Sequence, residues 1–377
     1  MKGKKLPDRM GLDKALTLIG MRRKSTVRWV WTGAILGLVL VGGGASITLA
    51  EVDRPVTGPL AAARYTGTRY LNQDPQYNRG PISARLRTLI TGMTWLIAER
   101  RVSALPAEAP DLERLRDSRP EPTVTWIGHS TVLVQLDGVT FLTDPTWSEI
   151  VGPFGLIGVR RYTPPGIAFD ALPRIDVVLI SHDHYDHLDE TTVRRLARAF
   201  DPLFLVPKGL KSWFADRGLT NVTELNWGES VAVGGVQFVC TPAQHGGGRT
   251  LADQGRRLWS SWAALGTKRF YFGGDTGYYR HFKDTGDALG PFDLAALPIG
   301  SYTPRETARP VHLSPEEALQ AWTDLRATTF LGMHWGTYAL AREPFDEPPR
   351  RIAAEVSRRE LPSERIWILP PGHTANW

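Results

Sequence analysis

The stretch that most restricts what this chain can fold into is SHDHYDHLD, residues 181–189, which sets three histidines and three aspartates directly behind the apolar run DVVLI. A short continuous apolar run ahead of a polar turn reads as a buried strand. The following DETTVRRLARAF reads as a helix that begins after Leu188. The titratable residues therefore fill a strand-to-helix turn. His182 and His184, two apart on extended backbone, face the same way and can grip one ion, while Asp186 and His187 at the helix entrance can grip another. Without cations, each of these buried groups would need its own hydrogen-bonding or charged partner within a single turn.

Other segments place further candidate ligands at strand ends. TVTWIGHSTVLVQLDGVTFLTDP alternates apolar and polar residues, with Asp137-Gly138 between two runs, and predicts a hairpin. RIDVVLIS, TTVRRLARAF and LFLVP read as strand, helix and strand. VAVGGVQFVCT, KRFYFGGD, DLAALPIG, the helix SPEEALQAWTDL, TTFLGMHW and RIWILPP continue the alternation. This pattern predicts an α/β fold of sheets covered by helices, with polar clusters at strand ends, where such folds carry their sites. His245 follows the strand that ends at Cys240, Asp275 follows FYFGG, and His334 follows TTFLGM.

Charge and length bound the rest. The 377 residues, 42% hydrophobic, suffice for a large core and allow two domains. Cys240 is the sole cysteine, which excludes a disulfide framework and a cysteine-rich metal site. Of the net charge of +6, residues 1–28 carry +7, nine Lys and Arg against Asp8 and Asp13, so the remaining residues are almost neutral. A neutral body lacks the electrostatic footprint of a nucleic-acid binder. Residues 29–50, WVWTGAILGLVLVGGGASITLA, carry no charge and are long enough to span a hydrocarbon core. They predict a retained membrane anchor behind a cytoplasmic basic leader, with the catalytic part extracytoplasmic. A signal cleaved near Ala45 or Ala50, and an exported product, is the alternative. Residues 51–122 read as an arm and Pro-marked linker. They hold one helix near 82–100 whose apolar stripe either packs on the core or contacts lipid. Residues 123–377 read as the catalytic domain.

HxHxDH followed by a distant His, then Asp, then His resembles the metallo-β-lactamase superfamily, whose fold is an αβ/βα four-layer sandwich with a dinuclear metal site. WIGHSTVLVQLDGVTFLTDPTWSE, SHDHYDHLD, LWSSWAALGTKRFYFGGDTGYY, HLSPEEA and GMHWGTYALAREPFDEPP are together similar to its N-acylphosphatidylethanolamine-hydrolysing phospholipase D branch, from about Arg69 to the C terminus. The resemblance implies one metal at His182, His184 and His245, a second at Asp186, His187 and His334, and Asp275 bridging both. Two zinc ions are the family expectation, and manganese or iron suits the same ligands. Asp144 in LTDP would orient ligands, and His129 would support them. Asp186 or Asp275 would hold the attacking hydroxide. His312 is the candidate for phosphate contact or leaving-group protonation, and Tyr185 for phosphate contact, with packing as its alternative. Asp183 and Asp189 are left as turn and helix-entry residues. Gly246-Gly247-Gly248 stands where the branch carries a bulky aromatic, which predicts a wider pocket lip.

The resemblance implies a phospholipid substrate; the apolar segment predicts the membrane setting, the neutral body predicts no nucleic-acid partner, and a homodimer is the expected assembly. A lactonase of the same fold is the enzymatic alternative, and a membrane-tethered lipid-binding scaffold the non-enzymatic one. GHSTV has Val132 where a nucleophile elbow needs its second glycine. HFKDTGDA has Ala288 where the histidine–lysine–aspartate motif of unrelated phospholipases D needs an aspartate.

Overall fold

The strand predicted from DVVLI forms at Val177–Leu179, and its burial fixes the layering. Val177 and Leu179 join one hydrophobic cluster, and Val178 and Ile180 join another, so this strand is covered on both faces. The computed structural model describes residues 52–53, 60–78, 103–116, 121–250 and 252–377. The basic leader, the apolar segment 29–50 and the helix expected at 82–100 lie outside these residues. Among the described residues, no helix is long and apolar enough to cross a membrane.

In chain order the strands are β1 (Val52–Asp53), β2 (Thr123–Gly128), β3 (Thr131–Leu136), β4 (Val139–Thr143), β5 (Ile150–Val151), β6 (Val159–Arg160), β7 (Val177–Leu179), β8 (Leu203–Pro207) and β9 (Val222–Leu225). They continue with β10 (Ser230–Val233), β11 (Val236–Thr241), β12 (Ser261–Leu265), β13 (Arg269–Phe272), β14 (Leu294–Pro298), β15 (Thr329–Met333), β16 (Ile366–Trp367) and β17 (Thr374–Asn376). One sheet has the order β17-β2-β3-β4-β7-β8-β9, the other β1-β10-β11-β12-β13-β14-β15-β16, and β5-β6 is a separate hairpin. Asp137 and Gly138 turn β3 into β4 with φ of +51° and +80°, the left-handed pair that a two-residue hairpin requires.

The two sheets pack face to face. Phe141 of β4 meets Phe238 of β11 edge-on, with ring centroids 5.2 Å apart, and lies 5.9 Å from Phe270 of β13. On the outer face of the first sheet, helix Glu190–Phe200 buries Val193 and Leu196 against Val178 and Phe204. Asp189 caps that helix by accepting from the Thr191 amide, as a helix-entry aspartate should. Helix Pro315–Asp324 covers the second sheet with Leu319 and Trp322 and opens with a reciprocal Ser314–Glu317 capping box. The layers are thus helix, sheet, sheet, helix.

Strand direction decides where the site falls. Both β2 and β4 run antiparallel to β3, and β4 is parallel to β7, so their chain exits share one end of the sheet. In the other sheet, β11 and β13 both oppose β12, while β13, β14 and β15 are parallel. The loops after β2, β4, β7, β11, β13 and β15 carry the candidate ligands.

Part of the stretch read as arm and linker folds onto the body. Val52–Asp53 adds an edge strand, Leu60 and Ala63 enter the core, and helix Leu112–Arg116 buries Leu115. The expected final strand RIWILPP shortens to Ile366–Trp367, and the chain then supplies β17 to the opposite sheet.

Candidate metal centre

His129, Asp144, His182, His184, Asp186, His187, His245, Asp275, His312 and His334 converge where these loops meet. His129, Asp144 and His334 hold positive φ of 51°, 34° and 60°, a backbone region that non-glycine residues avoid unless the surroundings impose it. The His129 carbonyl accepts both the His334 amide at 2.9 Å and the Trp126 indole at 2.9 Å, which locks two of these loops together.

The first donor set is His182, His184, His245 and Asp275. The Ser181 hydroxyl gives its single hydrogen to Asp144 Oδ2 at 2.5 Å, so it accepts from His182 Nδ1 at 2.8 Å, and His182 Nε2 keeps a free lone pair. His245 Nδ1 donates to the Val311 carbonyl at 2.9 Å, which frees its Nε2 in the same way. These two nitrogens lie 2.8 and 3.2 Å from His184 Nδ1.

The second set is His129, Asp186, His187 and His334. His187 Nδ1 donates to Asp144 Oδ2 at 2.6 Å, turning Nε2 to within 3.3 Å of Asp186 and 3.2 Å of Asp275. His334 Nε2 lies 3.8 Å from Asp186 and 3.0 Å from Asp275 Oδ1. Asp275 Oδ2 lies 3.7 Å from His245 and 4.0 Å from His182, so this carboxylate stands between the two sets. His129 Nε2 donates to Asp186 at 3.0 Å and orients it.

Three carboxylates are thereby drawn into one centre. Among the described residues no Lys or Arg pairs with Asp144, Asp186 or Asp275; each has only imidazoles as charged neighbours. Burial opposes the charge of Asp186 and Asp275, but His187 and the other imidazoles around each outweigh it and hold both carboxyls well below the usual range. Burial also opposes a proton on His187 and on His334, yet Asp275 and Asp186 raise His187 well above the usual range and His334 to about 9. Burial and the neighbouring imidazole of His187 push His182 well below it, and burial pushes His245 the same way. The carboxylates demand positive charge at the centre.

The donors fit divalent ions. A tetrahedral ion with imidazole nitrogens about 2.0–2.1 Å away spaces its ligand atoms about 3.3 Å apart. The 2.8, 3.2 and 3.7 Å separations in the first set straddle that value. In the second, His187 Nε2, His334 Nε2 and Asp275 Oδ1 are buried without a hydrogen bond, the state expected of ligand atoms.

Matches to known proteins agree with this geometry. Residues 139–335, just over half the chain, match the family described as the beta-lactamase superfamily domain. The chain belongs to the beta-lactamase superfamily. Within the superfamily it is 45% identical over 249 residues to N-acyl-phosphatidylethanolamine-hydrolyzing phospholipase D 1 of Caenorhabditis elegans, covering 63% of this chain and 70% of that protein, and it belongs to that branch. It is 42% identical over 295 residues to an uncharacterized protein of Mycobacterium tuberculosis, 74% of this chain and 77% of the other. A solved metallo hydrolase from the archaeon Ignicoccus hospitalis shares the superfamily fold, with a TM-score of 0.53 at 22% identity over 68% of this chain and 98% of its own. As a member of this branch the chain is a metal-dependent hydrolase.

Two expected substrate residues are placed differently. His312 Nδ1 is 3.8 Å from Asp275 Oδ2 with its side chain 19% exposed, so it borders both the centre and solvent. Tyr185 enters neither donor set; its hydroxyl donates to the Arg249 carbonyl at 3.2 Å and its ring lies 3.8 Å from the Arg249 guanidinium.

Several supporting residues carried no sequence signal. Asn72, far away in the arm, donates to the His245 carbonyl at 2.9 Å and accepts from the His245 amide at 3.0 Å. Asp183, read only as a turn residue, is a fully buried carboxylate held by the Gly248 amide at 2.6 Å and Arg257 at 2.7 Å. Its position explains the middle glycine of the run, Gly247. A Cβ on Gly247 would stand 2.9 Å from Asp183 Oδ1 and 3.0 Å from the Arg257 carbonyl, whereas one on Gly246 meets nothing within 4 Å.

Proposed function

We propose that this hydrolase is a phospholipase D-type phosphodiesterase acting on N-acylphosphatidylethanolamine or a related phospholipid, with two zinc ions as cofactors. The observation that carries the reading is Asp275 between two donor sets, in a chain 45% identical to a phospholipase of that specificity. His182, His184 and His245 would hold one ion and Asp186, His187 and His334 the other, with Asp275 shared. Such a pair supplies Lewis-acid stabilisation of a phosphoryl oxygen and a water acidic enough to react at neutral pH.

The chain's own groups do the rest. Asp144 fixes His187 directly and His182 through Ser181, so both present Nε2 to the centre. Asp186 or Asp275, each held ionised by the imidazoles around it, accepts a hydrogen bond from the attacking water and would keep it in line with phosphorus. Burial pushes His312 down to about 4, so at neutral pH its imidazole is neutral. A neutral ring still donates one N–H, and at the solvent-facing rim it contacts a non-bridging phosphate oxygen. Of the two roles expected for His312, phosphate contact fits better than leaving-group protonation. Tyr185 takes the packing role. The reading keeps 29–50 as a membrane anchor with the catalytic part extracytoplasmic.

The test is turnover by purified full-length chain over N-acylphosphatidylethanolamine, glycerophosphodiesters and lactones, with products identified by mass spectrometry before and after chelation. Phosphatidic acid formed only with metal supports the reading. Lactone opening without lipid turnover assigns the chain to a lactonase, and lipid binding that survives metal removal without any turnover assigns it to a scaffold.

A further inference from the structure

Residues 152–158 read GPFGLIG and connect β5 to β6. A Cβ on Gly152 would collide with the Ile157 carbonyl, so β5 and β6 meet at a neck that only glycine permits, and Pro153–Ile157 stands out beyond it. Its tip is apolar and in water: Phe154 is 91% exposed, Leu156 75% and Ile157 67%. The other exposed large hydrophobics among the described residues, Tyr65 and Tyr278, both carry a hydroxyl. Phe154 also holds φ of +60°, an unfavourable region for a bulky side chain, with no burial in return.

The protrusion is fastened to the metal centre. Arg161, next to β6, donates to the Thr146 carbonyl at 2.8 Å and the Tyr338 hydroxyl at 2.6 Å. Thr146 in turn donates to the Asp186 carbonyl at 2.9 Å. The loop and Tyr185 line one cavity of about 390 Å³, whose other wall holds Arg194, Arg217 and Arg249. Arg194 and Arg217 share Glu190, while Arg249 donates to the Asp183 and Leu188 carbonyls and has no carboxylate partner among the described residues; Asp189 and Glu190 are the acids of the lining, against three arginines. Arg160, at the end of β6, is exposed. An apolar tip beside arginines with fewer acids than bases suits one surface above others, the boundary between anionic headgroups and acyl chains.

We infer that the 152–158 loop enters the surface of an anionic phospholipid bilayer, with Phe154, Leu156 and Ile157 in the acyl boundary and the arginine wall against headgroups, so that the centre faces its substrate. The choice of occupant rests on the proposed phospholipid reading. Cys240 is buried and is the sole cysteine, so F154C can be labelled selectively with an environment-sensitive fluorophore in the full-length chain. In phosphatidylcholine–phosphatidylglycerol vesicles the label is expected to shift to shorter wavelength, to be quenched by nitroxide-bearing lipid and to be protected from iodide. Because it reads the loop rather than the chain, anchoring elsewhere cannot mimic this result. A label that stays accessible to iodide in vesicles overturns the inference, as does a shift that follows protein density rather than lipid, which would assign the loop to a second copy of the chain. Replacing Phe154, Leu156 and Ile157 together by Ser should raise KM for vesicle substrate about tenfold or more, while a short-chain substrate dissolved below its micellar concentration is turned over unchanged. Equal loss on both substrates overturns it. If no phospholipid is hydrolysed at all, the proposed function fails, but the label still decides the location of the loop.

Discussion

Asp144 Oδ2 lies 2.6 Å from His187 Nδ1 and also takes the Ser181 hydroxyl that orients His182, so one buried carboxylate sets the ring nitrogens presented to both donor sets. Asp144→Asn keeps the volume but puts an amide where His187 needs a full carboxylate. The expected outcome is a metal affinity lower by about 10–100-fold with the fold intact. Isothermal titration of the chelated protein with zinc, beside far-ultraviolet circular dichroism, measures both.

Asn72 acts at longer range. Its amide brackets the His245 backbone and accepts the Trp259 indole at 3.0 Å. Asn72→Ala leaves the His245 amide and carbonyl without this partner, while the Trp259 indole keeps the Ala243 carbonyl at 3.1 Å, and is expected to cost about 2–3 kcal/mol of stability. It should also weaken one metal per chain by about tenfold, through the set that contains His245. Chemical denaturation and metal analysis after dialysis test this; loss of both ions together would contradict the pairing of His245 with His182 and His184.

The reach of the sequence follows from this contrast. SHDHYDHLD was legible because strand, turn and ligands are contiguous, and period-two geometry dictates that His182 and His184 share a side. His245, Asp275 and His334 were legible as residues at strand ends, but only the resemblance grouped them. Asn72 and Asp183 were not legible: an Asn in an arm and an Asp in a turn look solvated until tertiary contacts bury them. Helix Glu347–Arg359, nearly half charged and with Ile352 as its main buried anchor, gave no clear apolar stripe. Strand β17, Thr374–Asn376, has no apolar run and forms through pairing with β2. VAVGGVQFVCT, read as one segment, turns back at Gly234-Gly235 because both glycines take positive φ.

The glycine run yields a contrast between neighbours. Gly247→Ala forces a methyl against the buried Asp183 carboxylate and is expected to destabilise by about 1–3 kcal/mol. Gly246→Trp projects into open space and should leave stability within about 0.5 kcal/mol. Thermal denaturation of the two variants, metal loaded, checks both.

His281 is buried outside the centre beside the Thr276 hydroxyl at 3.3 Å, and burial lowers it to about 3. The unfolded chain therefore takes up this proton first, as pH falls through about 6.5, and the stability of the folded state falls with it. At pH 5.5 the loss amounts to about 1.4 kcal/mol relative to pH 7.5. Denaturation of metal-loaded protein at the two values, compared with His281→Gln, should show the wild type losing more by that amount.

The central claim is hydrolysis at phosphorus by water held between the two donor sets, and the most direct measurement is turnover of N-acylphosphatidylethanolamine by zinc-loaded protein in water enriched in oxygen-18. In that reaction the bond from phosphorus to the N-acylethanolamine oxygen breaks and water oxygen joins phosphorus. The account predicts one heavy oxygen in the phosphatidic acid and none in the N-acylethanolamine, with His184→Ala losing the activity while remaining folded. Label in a released fatty acid, or in the N-acylethanolamine, would contradict it.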